Sequence, residues 1–339
     1  LLLLMLVGMM LETLGVGLVI PLITILTQEG LTTQYPVLLP LVNSIGNPNH
    51  ETLFIYAMLC MLGIYLVKNL FLTLLVWRQM RFAFDVRTYL AKKLFNNYLH
   101  QPYTFHLQNN SAQLIRNIAA EISIFISNGI TSVMIILTEG LVLMGILSLL
   151  LLIEPYGTLI VVFLFGSAAI GFHLIIRSNV ARWGKERHIH DGMSMQHLQQ
   201  GLGGAKDVKM FGCEDVFLTR YNTHNTKSAK IAQWQQTLQA LPRLWLELIA
   251  ITALVSIVLI MISQGKSVNN IIPIVGLFVA AAFRLLPSLS RILAALQSLR
   301  FCVPVTNALE KEFKLVTQER ELEESKDVGK FRVKIHLNN

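Results

Sequence analysis

Charge is scarce in this sequence. Only 14% of its 339 residues are Asp, Glu, Lys or Arg, against about 25% in soluble domains, which argues against an ordinary water-soluble globule. Cysteine is scarcer still. Cys60, Cys213 and Cys302 are scattered and odd in number, which fits neither a disulfide framework nor a metal site. No phosphate loop of the form G-x-x-x-x-G-K followed by Ser or Thr occurs, because Gly329-Lys330 lacks the earlier glycine and the hydroxyl residue. This stretch of chain therefore does not hydrolyse ATP by that mechanism. The apolar run Leu1–Leu11 has no basic n-region and no small-residue cleavage site, so it does not read as a signal peptide. It reads as a first membrane helix whose start is missing.

What is abundant is apolar sequence in long blocks. The chain is 53% hydrophobic, and the blocks predict six spans, over 1–27, 53–77, 122–153, 155–176, 244–263 and 271–300. About 20 helical residues cross a hydrocarbon core of ~30 Å. The blocks are too long and too uniform for barrel strands, so the fold expected is an all-α membrane protein. Only Glu154 and Pro155 separate the third and fourth spans.

The formal charge of +8 would suit nucleic acid, but its placement says otherwise. Segment 28–52 holds no Lys or Arg, 264–270 holds only Lys266, and span two holds Lys68. Segments 78–121, 177–243 and 284–339 hold six, ten and ten. The positive-inside rule makes that side, and the C-terminus, cytoplasmic. Both long inside segments are compatible with helix. Phe82, Val86, Tyr89, Leu90 and Leu94 line one side of residues 78–100. Four membrane helices are thus expected to extend about 30 Å beyond the bilayer, legs with a use in a machine driven from below. Residues 310–334 read as a charged helix and linker, and Phe331–Leu337 alternates like a strand.

Charges inside the spans are the sharpest functional signal, since each costs about 2.5–3.5 kcal/mol on insertion. They include Glu12, Glu139, Glu247, Lys68 and Arg284. Arg284 sits 13 residues into span six. Arg291 follows one heptad later on the same face, with Ser288 between them and Pro287 expected to kink the helix. Two readings stand. Either a basic stripe faces a water-filled cavity that receives an anionic substrate, or the arginines pair with a buried carboxylate such as Glu139 or Glu247. Arg243 and Glu247 have the i, i+4 spacing of a local ion pair. Glu12 lies between Gly8 and Gly15, where a close helix contact is expected. Lys68 has the reach to snorkel. His173, His188, His190 and His197 match no compact metal spacing, and surface positions suffice for them. Asn109-Asn110-Ser111 matches a glycan acceptor but falls on the inside by the charge rule.

At this point the chain resembles the membrane domain of type IV ABC exporters. QPYTFHLQNNSAQLIRNIAAE (101–121) resembles the first intracellular loop and QGLGGAKDVKMFGCED (200–215) the second coupling region, while KFRVKIHLNN (330–339) looks like the first strand of an ATP-binding domain. LETLGVGLVIPLITILTQ (11–28), LPRLWLELI (241–249) and FRLLPSLSRI (283–292) are similar to the bacterial flippases of lipid-linked oligosaccharides. The resemblance implies a transmembrane domain over 1–305, a charged helix and linker over 306–330, and the start of a nucleotide-binding domain over 331–339. It implies a domain-swapped dimer of two copies in the bacterial inner membrane, with ATP and Mg held by the nucleotide-binding domain in cis. The implied cargo is a polyprenyl-pyrophosphate-linked glycan whose anionic head meets Arg81, Arg243, Arg284 and Arg291. Pro102, Tyr103, Phe105, Lys209 and Phe211 become the residues coupled to the nucleotide-binding domain. A short amphipathic helix is implied between spans one and two, over Tyr35–Ile45. Two other functions fit the residues less fully: a peptide or drug exporter, and a proton-coupled carrier using Glu12, Glu139 or Glu247.

Overall fold

The computed structural model describes residues 1–18, 50–153, 155–263 and 268–325. The regular elements among them are all helices: α1 (Leu2–Gly17), α2 (His50–Leu99), α3 (Tyr103–Gln108), α4 (Ser111–Arg116), α5 (Ile122–Ile124), α6 (Thr131–Ile153), α7 (Pro155–Gly203), α8 (Ala205–Phe211), α9 (Glu214–Ser263) and α10 (Val268–Ser325). π-Helical turns at Asn117–Glu121 and Phe125–Ile130 join α4, α5 and α6 into one rod.

The helix ends follow local chemistry. Pro102 is extended, with ψ 156°, and separates α2 from α3, since proline disfavours helix in the residue before it. Asn110 caps α4 by accepting the Ala112 N–H at 2.9 Å. α7 opens on Pro155, whose missing N–H is no loss at a first helical position. Gly212 closes α8 in the left-handed region at φ 61°, which glycine enters without a Cβ penalty. α10 continues unbroken through Pro287.

Five helical stretches are long and apolar enough to cross a membrane: Ile55–Leu99, Ser111–Ile153, Pro155–Phe172, Glu214–Ser263 and Phe278–Lys314. The apolar α1 is shorter, at 16 residues. The rest of the first expected span, the helix expected over Tyr35–Ile45, Glu154, Lys266 and the strand expected over Phe331–Leu337 lie outside the described residues. α2, α7, α9 and α10 hold 50, 49, 50 and 58 residues, about 74–87 Å of rod. Each is more than twice what a bilayer core needs, so the polar segments extend the membrane helices as legs.

α7 pairs along its length with α9, and α10 packs against both and against α6, while α1 lies on α6 and α2. One apolar cluster interlocks Ile146 and Leu150 with Phe165, Ile257, Phe278 and Leu285. A second, further down the legs, joins Leu94, Phe105, Ile122, Val305 and Leu309. Leu62, Leu152, Phe163 and Phe283 are left exposed, as expected of spans that are apolar all round and meet lipid.

Gly184 sets the α7–α10 contact. A Cβ there would lie 2.6 Å from the Phe301 carbonyl oxygen, a backbone atom that cannot swing away. We expect Gly184→Val to destabilise the domain by about 1–3 kcal/mol. Thermal unfolding in detergent checks this; an unchanged midpoint would mean that the two helices are not held this close.

Candidate functional site

The charged residues of the spans converge. Glu12 on α1 and Glu139 on α6 are buried, at 4% and 5% exposure. Lys68 of α2 approaches Glu12 Oε2 at 3.3 Å, and Arg284 Nε of α10 lies 3.0 Å from the same oxygen. Arg284 Nη2 is 3.7 Å from Glu139 Oε2. The Ser288 hydroxyl donates to that oxygen at 2.7 Å, and Arg291 Nη1 donates to Glu139 Oε1. Formally, three cations face two carboxylates and leave one positive charge in surplus. The two ends differ in exposure. The Arg284 side chain is 20% exposed and that of Arg291 53%, so Arg291 forms the open end.

The helices hold this cluster by close approach and by helical register. The Tyr65 hydroxyl donates to the Gly15 carbonyl at 3.1 Å, and its ring lies 4.2 Å from the Lys68 ammonium. Arg284, Ser288 and Arg291 fall on one face of α10 because four and three residues each make about one turn. Gln79 donates to Thr138 at 2.8 Å, tying α2 to α6 beside Glu139. Nearby, an apolar cavity of about 550 Å³ is lined by residues including Phe82, Phe125, Met134, Leu137 and Leu299. Met134 and Glu139 are five residues apart on α6, about 7.5 Å.

Of the two readings of Arg284 and Arg291, the pairing with buried carboxylates is the one seen here. Glu139 is the partner foreseen and Glu12 the one missed; among the described residues Glu247 forms no ion pair with either arginine. Lys68 does not snorkel, being 8% exposed and turned to Glu12. The signal for Glu12 was its place between two glycines, but no pattern in one chain says which helix faces it. Arg243 and Glu247 are both exposed, and among the described residues no ion pair joins them. Arg81 lies 4.0 Å from Asp85 and over the Trp77 ring, contacts made within its own helix.

A second polar cluster lies in the legs, and sequence reading missed its centre. Glu121, 1% exposed, has Arg116 at 3.7 Å, Arg187 at 4.0 Å and His188 at 3.3 Å. Arg116 also donates to the His188 carbonyl at 2.9 Å, and Arg187 pairs with Asp191 at 3.3 Å. Asn117 donates to the Tyr98 hydroxyl, which donates to Glu312 at 2.7 Å. These contacts tie α4 and the first π turn to α2, α7 and α10. The residues expected to couple to a further domain lie around this cluster and at the α8 end. Pro102, Tyr103, Lys209 and Phe211 are exposed, whereas Phe105 is buried against Tyr98 with ring centroids 6.0 Å apart.

The histidines are less scattered than their spacing implied. His190 Nδ1 lies 3.0 Å from His224 Nδ1, and the His197 ring stands 5.6 Å from that of His224. Among the described residues no three ligand side chains are grouped to hold a metal. Burial, then His190, His197 and Lys227, hold His224 below the ordinary histidine range. The folded chain therefore takes up protons less readily here than the unfolded chain does. The part of the α7–α9 contact that depends on neutral His224 is therefore present above about pH 6.5 and lost as the pH falls below it. We expect rate-corrected amide exchange across residues 220–228 to rise from pH 7.5 to 5.5, and His224→Gln to remove the rise. An equal rise in that variant would clear the histidines of the effect.

Comparison with known proteins agrees with this architecture. The family model described as the ABC transporter transmembrane region matches residues 18–283. A solved structure of a bacterial Atm1-family ABC exporter with ATP bound superposes with a TM-score of 0.64 over 92% of this chain, at 16% identity. The chain spans about half of that structure, 53% of its length.

Proposed function

Since the chain belongs to the family of ABC transporter transmembrane regions, we propose that it is the membrane half of an ATP-driven exporter whose cargo is an amphiphile with an anionic, phosphate-bearing head. The observation that carries this reading is the cluster of Arg284, Arg291, Ser288 and Glu139, with one cation in surplus and its open end at a half-exposed guanidinium. Guanidinium groups bind phosphate oxygens bidentately, and arginine in place of lysine suits a diphosphate. The apolar cavity nearby offers room for part of a lipid tail. A polyprenyl-pyrophosphate-linked oligosaccharide meets both conditions, and the stretches 11–28, 241–249 and 283–292 favour it.

The rest of the reading follows the family. Two copies pair with exchanged helices in the bacterial inner membrane, the legs and C-terminus lie in the cytoplasm, and α1 completes a set of six spans. ATP and Mg do not fit the residues of this chain. It has no phosphate loop of the form G-x-x-x-x-G-K followed by Ser or Thr. Their site lies on a nucleotide-binding domain, against which exposed Tyr103, Lys209 and Phe211 dock.

The test is transport by the full-length protein in proteoliposomes. A fluorescent polyprenyl-diphosphate lipid should move with ATP, and the neutral polyprenol should not. Tyr103→Ala should keep ATP hydrolysis and lower transport per ATP by about fivefold, the size of a coupling term near 1 kcal/mol. Transport of peptides or neutral drugs with no response to the diphosphate lipid would favour a peptide or drug exporter.

A further inference from the structure

Glu139 stands where a substrate anion would stand. Its two oxygens take up the Arg291 guanidinium, the Ser288 hydroxyl at 2.7 Å and Arg284 Nη2 at 3.7 Å. These are the donors the anion reading needs. The carboxylate is 5% exposed, so it is not held there by solvent. The cations are not saturated by it. Arg291 remains 53% exposed. Arg284 Nε lies 3.0 Å from Glu12 but lacks hydrogen-bond alignment, leaving a buried donor unpaired.

We infer that Glu139 is a resident counter-anion that occupies the two arginines when the site is empty and is displaced by the substrate's anionic head. The inference rests on the proposed anion site and adds a specificity-determining residue to it. Three steps support it. A carboxylate tethered on α6 faces the arginines at an effective concentration in the millimolar range or above, so a weakly bound anion does not displace it. The Arg284 guanidinium, 20% exposed, would carry a heavy desolvation penalty if left without Glu139 at this depth, which Glu139 removes while no cargo is present. A ligand that binds only when Glu139 has let go has its affinity reduced by the fraction of time the arginines are free. Glu139 thus sets a threshold. An anion with several oxygens, able to engage Arg291, Arg284 and Ser288 together, passes it more readily than an anion with two.

Glu12 does not share this role. It is held by Lys68 at 3.3 Å and lies beside Arg284 Nε at 3.0 Å. It carries no contact to Arg291, the exposed end, so displacing it would bare Lys68 as well. The one-heptad step from Arg284 to Arg291 puts Glu139 alone between the closed and open ends of the stripe.

The experiment measures binding of inorganic pyrophosphate to the full-length dimer in nanodiscs by calorimetry, without ATP. Subtracting the signal of Arg291→Ala removes binding at any nucleotide site. Glu139→Gln should tighten the Arg291-dependent binding by about tenfold, and Glu139→Asp, which keeps the charge but draws it back by one methylene, by about threefold. Melting curves identify a variant that fails to fold, and the aspartate form then carries the test. Arg291-dependent binding that is unchanged or weaker in both variants overturns the counter-anion role while leaving the anion site standing. No Arg291-dependent binding in the wild type or in either variant removes the anion site itself, and this inference with it.

Discussion

Arg284→Ala should destabilise the membrane domain by about 3–5 kcal/mol, the cost of breaking a buried ion pair, whereas Arg291→Ala should leave the fold intact and lower transport about a hundredfold. The two arginines look equivalent in the sequence and are not so in the fold. Arg284 reaches both buried carboxylates, at 3.0 Å and 3.7 Å. Without it Lys68 faces Glu12 alone, and Glu139 keeps only Arg291 and Ser288. Arg291 is half-exposed, where an ion pair contributes about 0–1 kcal/mol to stability. Its loss should therefore be felt by the cargo and not by the fold. Thermal unfolding and proteoliposome transport on both single variants separate these effects. Equal melting points for Arg284→Ala and the wild type would contradict the structural role assigned to Arg284. Undiminished transport by Arg291→Ala would remove the arginine stripe from the cargo path.

Glu121→Ala should be the most damaging single change in the legs, also by about 3–5 kcal/mol. It would leave Arg116 and Arg187, 7% and 9% exposed, without the carboxylate between them. Asp191 offers Arg187 a second partner at 3.3 Å, but Arg116 keeps only the His188 carbonyl. Glu121→Gln keeps the shape and should cost less. Chemical denaturation monitored by tryptophan fluorescence is suited to this test, since Trp183 and Trp234 stack across α7 and α9 at 6.4 Å. A Glu121→Ala protein as stable as the wild type would mean that water already shares the load in this cluster. The π turns beside it, at Asn117–Glu121 and Phe125–Ile130, are the kind of irregularity found at functional sites.

Much of the fold was legible because membrane helices write themselves in composition. Apolar blocks of the right length, a helix-compatible leg at 78–100, and a leg at 177–235 with few breakers apart from the glycines at 201, 203, 204 and 212, gave α2, α7, α9 and α10. The site was legible in half. Arg284, Ser288, Arg291 and Glu139 were found because charge and register inside a span are rare and periodic signals. Their partners were not, because partner choice is a tertiary fact. Lys68 had a plausible route to the membrane surface and turned instead to Glu12. Arg243 and Glu247 had ideal spacing and did not pair. At an exposed position such a pair contributes only about 0.2–0.5 kcal/mol, too little to fix two long side chains. Glu121 was missed because a carboxylate in a polar, helix-forming stretch looks solvated until a second helix covers it. His224 was missed because it meets His190 from another helix, 34 residues away in the chain.

The proposed exporter draws its work from ATP and moves an anionic head. The most direct measurement is the movement of a fluorescent polyprenyl-diphosphate lipid between leaflets of vesicles containing the full-length protein, with and without ATP and with a protonophore. We predict movement from the cytoplasmic to the opposite leaflet that needs ATP and survives the protonophore. Movement without ATP that collapses with the proton gradient would contradict the account and make Glu12, Glu139 and Glu247 the residues of a carrier.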